Sequence, residues 1–167
     1  MIGDRIVLEI TVIEEFHLAR LVDDFIELID DSRDTGDPAV ERLTPSPYPD
    51  DSDAAREFAG ATRDDLLDRR LTDARGVRSA LDAFPQGIDS LAEDAALLTR
   101  EVFVPVKSVD AWLRTLTAIR LVIATRLGIT SDDEEHEDGG HDVYDWLGYR
   151  LELLIQAADE ADNGLLD

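Results

Sequence analysis

The segment with the densest potential for chemistry is Ser131 to His141, SDDEEHEDGGH. Six of the seven residues from Asp132 to Asp138 are acidic, and His136 lies among them. Such side chains can bind a divalent cation, but the calcium-loop pattern needs oxygen ligands at fixed alternating positions around a glycine, and this order does not match it. We expect no dedicated metal site, only weak cation binding at Asp132, Asp133, Glu134 and Glu135. Charge repulsion and Gly139-Gly140 predict a mobile acidic loop over 131–141.

No arrangement of residues typical of an enzyme is visible. Cysteine is absent, which excludes a thiolate nucleophile, a zinc–thiolate site and a thiol redox switch. The chain also lacks a glycine-rich phosphate loop, G-x-S-x-G and H-E-x-x-H. His17 lies on a predicted helix without a second ligand at helical spacing, which favours a histidine at the solvent edge or in the core. We therefore expect a protein that uses no cofactor and is not an enzyme.

Arg120 is the residue most at odds with its surroundings, because it projects from an apolar sector of a predicted helix. A buried guanidinium needs carboxylate or carbonyl partners, since an unpaired buried charge is costly. One interpretation is a core ion pair that fixes how two helices dock. The other is a pocket for an anion or a partner, shared with Arg126 at the edge of the same sector. Both interpretations stay open from sequence.

The overall charge limits the classes of partner. The chain has 167 residues, 39 acidic against 16 basic, and a net charge of −23. Such a surface repels phosphate backbones and anionic lipids, which disfavours direct nucleic-acid contact and membrane docking. No stretch is long and apolar enough for a membrane span, and no secretory signal is visible, so we expect a cytoplasmic protein. The length and the 44% hydrophobic residues indicate a single domain over 1–167.

The element that must position these residues is the segment Ser108–Gly128. Ser108 is expected to cap the first turn of a helix, and Gly128 to end it in a left-handed conformation. At about 100° per residue, the largest apolar residues fall within a sector of roughly 120°. Further apolar residues outside that sector predict a central helix. The sector contains Trp112, Leu113, Leu116, Ile119, Ile123 and Leu127.

The remaining pattern predicts a mainly α fold. We expect a helical bundle around this central helix (about 109–127), with a small two-stranded β ribbon (about 4–10 and 101–106). Helix starts are predicted from capping residues, and helix ends from apolar periodicity. The predicted helices open at Thr11-x-x-Glu14 and run to about Asp30, at Asp37-Pro38 to Leu43, at Ser52 to about Ala59, at Thr62-x-x-Asp65 to about Phe84, and at Asp142 to about Ala161.

Four blocks in this order resemble one known family. They are YPDD at 48–51, Glu57-Phe58, WLRTLTAIRLVIATRLGI at 112–129 and YDWL at 144–147. With the strand–helix opening, they are similar to the actinobacterial domain-of-unknown-function family numbered 2017. What the resemblance implies about activity is limited, because that family has no established enzymatic activity. Genes of that family commonly neighbour the gene of an adaptor that delivers substrates to the Clp protease. A cysteine-bearing relative has been assigned a redox-responsive role with a sigma factor, and thiol sensing does not transfer to this chain.

These observations together favour a regulatory or adaptor-type protein that acts through protein–protein contacts. The expected partner is another protein, with a basic surface as one option and a second copy of this chain as another. The candidate interaction surface comprises Trp112, Tyr144 and Trp146. The alternative is a transcription regulator that acts on DNA or through a sigma factor, and a small-anion-binding protein or enzyme comes third.

Overall fold

Two strands that lie far apart in the sequence form the β ribbon. A computed structural model describes residues 4–31, 33, 36–45, 50–85, 87–129 and 139–164. Strand β1 (Arg5–Thr11) pairs antiparallel with β2 (Thr99–Pro105), and Val7 lies opposite Phe103. On both strands the even-numbered residues lean toward the helices, and most of them are buried there. The predicted ribbon is therefore confirmed, displaced by one or two residues.

Helices make up most of the remaining described chain, so the mainly α prediction is also confirmed. Within the described residues no helix is long and apolar enough to cross a membrane. Short 3-10 turns cover Ile88–Ser90 and Val106–Ser108. The helices are α1 (Val12–Asp31), α2 (Pro38–Leu43), α3 (Ser52–Phe58), α4 (Asp64–Ala80), α5 (Glu93–Ala96), α6 (Val109–Leu127) and α7 (Gly139–Gly164).

Helix α6 is central, as its sequence predicts. It packs against α1, α2, α4 and α7, and Trp112 is one of the largest fully buried side chains. Gly128 ends the helix with φ 70° and ψ 23°, and its N–H donates to the carbonyl oxygens of Ala124 and Thr125. The expected cap at Ser108 is wrong: its side chain makes no capping hydrogen bond, because the chain enters α6 from a 3-10 turn.

Two of the predicted helix starts are confirmed in detail. Thr11 donates from its backbone N–H to Glu14 Oε2 at 2.9 Å, and the Glu14 N–H donates to Thr11 Oγ1 at 3.3 Å. Asp37 caps α2, because its Oδ1 accepts the N–H of Ala39 at 2.8 Å ahead of Pro38. Both starts use short-range contacts that sequence spacing alone specifies.

Three other predicted helix boundaries are wrong. Asp51 rather than Ser52 caps α3, with Oδ1 accepting the N–H groups of Asp53 and Ala54. No new helix starts at Thr62, since a π-helical segment at Ala59–Arg63 joins α3 directly to α4. Helix α4 ends at Ala80 instead of Phe84. There the buried Oε1 of Glu15 accepts the N–H of Asp82 at 2.8 Å, which holds the chain outside a helical path.

Helix α7 begins earlier than predicted, so Asp142 lies within it and is not its cap. Gly139 to His141 form its first turn instead of the end of a mobile loop. Tyr144 packs against Ala124 and Ile129 at the end of α6, and His141 is buried. This burial favours a helix in a segment whose local composition predicts a loop. Residues 131–138 lie outside the described residues, so mobility there stays a prediction.

One apolar core joins the ribbon to the long helices. Ile10 and Val104 on the ribbon pack in the same cluster as Val22, Leu71 and Leu147 on the helices. The rim of the core carries ion pairs between different helices: Arg75–Asp30 and Arg78–Asp23 both tie α4 to α1. The interleaved charges of α4 thus serve mainly to join it to its neighbours.

Candidate functional site

Arg120 joins α6 to α7. Its Nε donates to the backbone carbonyl oxygen of Tyr144 at 3.2 Å, and its guanidinium lies 3.8 Å from the centroid of the Tyr144 ring. Gly148 allows this close approach, since a Cβ there would lie 3.0 Å from Arg120 Nη2. Within the described contacts, a carbonyl oxygen and an aromatic face stabilise this guanidinium, while the core ion pair stays a prediction.

Arg126 contacts a different part of the molecule. Its Nη1 and Nη2 donate to the two carboxylate oxygens of Asp37 at 2.9 and 2.6 Å, so the pair is bidentate. The hydrogen bond from Arg126 lowers the pKa of Asp37 below its usual value. Arg126 therefore fastens α6 to the cap of α2, while Arg120 fastens it to α7. The structure does not bring the two arginines to the same described partner.

The three predicted surface aromatics differ in their exposure. Trp112 is 2% exposed and Tyr144 is 8% exposed, so neither projects from the surface of this chain. Trp146 is partly buried, and its Nε1 donates to Glu14 Oε1 at 3.0 Å. Of the three, Trp146 alone retains access to solvent while making a specific polar contact.

Glu14 is the polar centre that sequence spacing indicated only in part. Besides capping α1, it accepts hydrogen bonds from Trp146 and forms an ion pair with Arg150, whose Nη2 lies 2.9 Å from Glu14 Oε1. Burial would raise the pKa of Glu14, but hydrogen bonds from Thr11, Trp146 and Arg150 outweigh it and lower the pKa to about 2. Glu14 therefore stays ionised near neutral pH and holds β1, α1 and α7 together.

A groove of about 600 Å³ opens beside Glu14, between β1 and α7. Its floor consists of Trp112, Leu116 and Leu18, all buried core residues. Tyr149, which is 56% exposed, lies at its rim on α7. The walls are formed by Val7, Leu8, Glu9, Ile10 and Thr11 of β1 and by Arg150, Leu153, Leu154 and Ala157 of α7.

The β1 edge that faces this groove carries backbone groups that β2 does not use. Val106 N–H donates to Asp4 O and Val12 N–H to Leu98 O, both at 3.0 Å, so the even positions of β1 bond to β2. In an antiparallel pair, the backbone N–H and C=O groups of the alternate residues, here the odd-numbered ones, then point away from the partner strand. Arg150 Nη1 donates to the outward carbonyl of Glu9 at 2.9 Å. Among the described residues, Val7 N–H, Val7 C=O and Glu9 N–H have no hydrogen-bond partner.

A second groove of about 850 Å³ lies between α4 and α6 and contains arginines. Arg114 in it pairs with Asp73 at 2.8 Å, and Arg70 Nη2 donates to the Leu43 carbonyl at 3.0 Å. Burial lowers the pKa of Arg70. Arg114 and Arg70 thus already have protein partners, whereas the strand edge beside β1 offers several unused backbone groups next to an apolar floor, so we take the β1 groove as the candidate site.

The residues at which weak cation binding is predicted are not among those that the structure describes. Asp132, Asp133, Glu134 and Glu135 lie outside the described residues, so weak cation binding there stays a prediction. His17 is exposed on α1, with its ring 5.6 Å from that of Phe16. The part of the chain that the structure describes holds no group of three or more His, Asp or Glu side chains arranged to bind a metal ion.

Sequence reasoning missed Tyr149 and Arg150. Both follow the YDWL block on α7, and the only available signal was an exposed aromatic residue next to a cation within an amphipathic helix. Their importance comes from β1, which lies more than 130 positions earlier in the chain, as the 141-residue separation of Arg150 and Glu9 shows.

Comparison with known proteins gives one match. A family model described as "Domain of unknown function (DUF2017)" matches residues 2–158. No curated protein and no solved structure matches the chain. The match covers both strands and all but the last residues of α7, so it includes the groove.

Proposed function

Starting from the chain's membership of the DUF2017 family, we propose a non-enzymatic regulatory or adaptor-type protein of the cytoplasm that acts by binding another protein. The observation that carries this proposal is the groove between β1 and α7. It combines an apolar floor, an exposed aromatic rim at Tyr149 and backbone groups on an open strand edge. Such combinations are typical of protein-binding surfaces.

The charge distribution agrees with a protein partner. Many arginines on the described surface pair with acidic residues of another element, as Arg114 does with Asp73 and Arg126 with Asp37. These pairs reduce the positive charge available to phosphate groups, and the net charge of −23 disfavours phosphate binding further. No observation favours the alternative of direct DNA contact. Action through a sigma factor would itself be a protein–protein contact and falls within this proposal.

Affinity capture from soluble lysate of the native cells, followed by mass spectrometry, tests the proposal. Tyr149→Ser removes the aromatic rim of the groove. Ile155→Ser is the matched control, because Ile155 is also an exposed apolar residue of α7, at 47% exposure, but does not line the groove. We expect the wild type and Ile155→Ser to retain the same partner, and Tyr149→Ser to lose it. Recovery of no partner above background, or equal recovery by all three proteins, would contradict the proposal.

A further inference from the structure

We propose that the groove binds an extended peptide segment of the partner, which adds to the ribbon as a third strand beside β1. This inference rests on the proposed function and names the geometry and chemistry of its ligand. The occupant is an extended chain because the free groups are backbone donors and acceptors at alternate positions of one strand edge. Side chains of the added strand would enter the apolar space between β1 and α7.

The position of the added strand follows from the bonds that the protein already makes. Arg150 occupies the Glu9 carbonyl and Glu14 occupies the Thr11 N–H, so the end of the β1 edge near α1 is closed. Among the β1 residues that line the groove, the free groups are those of Val7 and the N–H of Glu9. Pairing is therefore centred on Val7 and extends over about four residues at roughly 3.3 Å per residue.

The charged residues in and around the groove determine the charge of the occupant. Glu9 and Glu14 line the groove together with one cation, Arg150, which is already paired with Glu14. Outside the lining, α7 contains acidic residues and no lysine, arginine or histidine from residue 151 to 164. An apolar strand flanked by lysine or arginine complements this excess of negative charge, whereas an acidic peptide is repelled. A second copy of this chain is the less favoured occupant, because each copy carries a net charge of −23. The acidic residues are Glu152, Asp159, Glu160 and Asp162.

Two proline variants on opposite edges of the same ribbon test this geometry. Val7→Pro removes an outward N–H from the edge that faces the groove, while Phe103→Pro does the same on the outer edge of β2. The two positions lie directly opposite each other and have similar exposure, 36% and 42%. Neither N–H belongs to a β1–β2 hydrogen bond, and proline is tolerated at edge positions, so both variants are expected to fold.

The probe is a fluorescein-labelled, C-terminally amidated heptapeptide of sequence KVTVTVK, measured by fluorescence polarisation with the full chain. We expect saturable binding to the wild type and to Phe103→Pro, and affinity weakened at least about tenfold by Val7→Pro. A heptapeptide N-methylated at alternate residues on the pairing edge should bind at least about tenfold more weakly, because it lacks strand donors. Binding should also weaken as salt rises.

A second pair of variants keeps the proposal testable if Val7→Pro unfolds. Ala157→Phe fills the groove from α7, and Gln156→Phe places the same side chain on the neighbouring exposed position. Ala157→Phe should abolish peptide binding and Gln156→Phe should preserve it. Absence of saturable binding to the wild type at about 1 mM peptide, or equal affinity of the variants within a pair, would overturn the proposal.

Three further outcomes identify the occupant or separate this inference from the proposed function. If wild type self-associates in sedimentation experiments and Val7→Pro alone is monomeric, the occupant is a second copy and the peptide proposal is wrong. If the heptapeptide fails but affinity capture still depends on Tyr149, the protein-binding function stands and its strand geometry fails. If the heptapeptide binds and capture recovers nothing, the strand site stands and the adaptor role fails.

Discussion

The guanidinium of Arg120 lies 3.8 Å from the centroid of the Tyr144 ring and donates from Nε to the carbonyl oxygen of the same residue at 3.2 Å. One side chain of α6 thus contacts both the backbone and the side chain of one residue of α7. Stacking on the ring uses the planar, delocalised character of arginine, and the hydrogen bond uses one of its donors. The contact sets the position of α7 along α6, and α7 in turn forms one wall of the groove.

Arg120→Lys should therefore destabilise the fold although it preserves charge. An ammonium cannot stack on Tyr144 and donate in the same geometry, so we expect the free energy of unfolding to fall by about 1–2 kcal/mol. Arg126→Lys is the matched control on the same helix. The Arg126 side chain in the ion pair with Asp37 is about half exposed. Weakening this pair should therefore lower the free energy of unfolding by no more than about 0.5 kcal/mol. Urea unfolding measures both, and equal effects would contradict a special role for Arg120.

Gly148→Ala should be stabilising only when Arg120 is absent. Alanine stabilises a helix by about 1 kcal/mol relative to glycine. However, the new Cβ would lie 3.0 Å from Arg120 Nη2, so the guanidinium would have to move. We expect Gly148→Ala to leave the free energy of unfolding of the wild type unchanged or lower, and to raise that of an Arg120→Ala variant by about 1 kcal/mol. Gly76→Ala is the control on α4, where a Cβ meets nothing within 4 Å, and it should stabilise both backgrounds equally. Additive effects in the Gly148 cycle would contradict the close contact.

Glu14→Gln should lower the free energy of unfolding at neutral pH, and the free energy of the variant should change less as the pH falls. The folded pKa of about 2 lies below the usual 4.5, so the contribution of this carboxylate is complete above pH 4.5 and is lost as pH falls toward 2. The side chain is 30% exposed, which limits the expected loss at pH 7 to about 1–2 kcal/mol. The difference between wild type and variant should shrink between pH 4.5 and 2. Glu27→Gln, at an exposed position of α1, is the control, and its effect on the free energy of unfolding at pH 7 should stay within about 0.5 kcal/mol.

Asp37 performs two tasks that substitution can separate. It caps α2 through Ala39 N–H and pairs with Arg126. Asp37→Ser retains the cap and loses the charge pair, so we expect a cost below about 0.5 kcal/mol. Asp37→Ala loses both, with an expected cost of about 1–2 kcal/mol. Thermal unfolding distinguishes them, and equal midpoints for the two variants would show that the cap contributes nothing.

Much of the fold could be predicted from sequence because its determinants are local. The Thr11–Glu14 and Asp37–Pro38 starts, the Gly128 end and the periodicity of α6 each involve residues a few positions apart. Two of the wrongly predicted boundaries depend on residues that are distant in the sequence. Buried Glu15 redirects the chain at Asp82 after α4, and contacts of Tyr144 with α6 accompany an early start of α7.

The candidate site shows the same division between local and distant determinants. Composition by itself determined a cysteine-free and strongly acidic chain, and the periodicity of the sequence determined its mainly helical character and a guanidinium in an apolar sector. Only the tertiary structure decided that Arg120 contacts Tyr144, that Trp112 is buried and that Arg150 closes one end of the β1 edge. The physical reason is that helix periodicity determines which face of an element is apolar, whereas the partner of that face depends on how all the elements pack. A groove between a strand at the start of the chain and a helix at its end is therefore a property of packing.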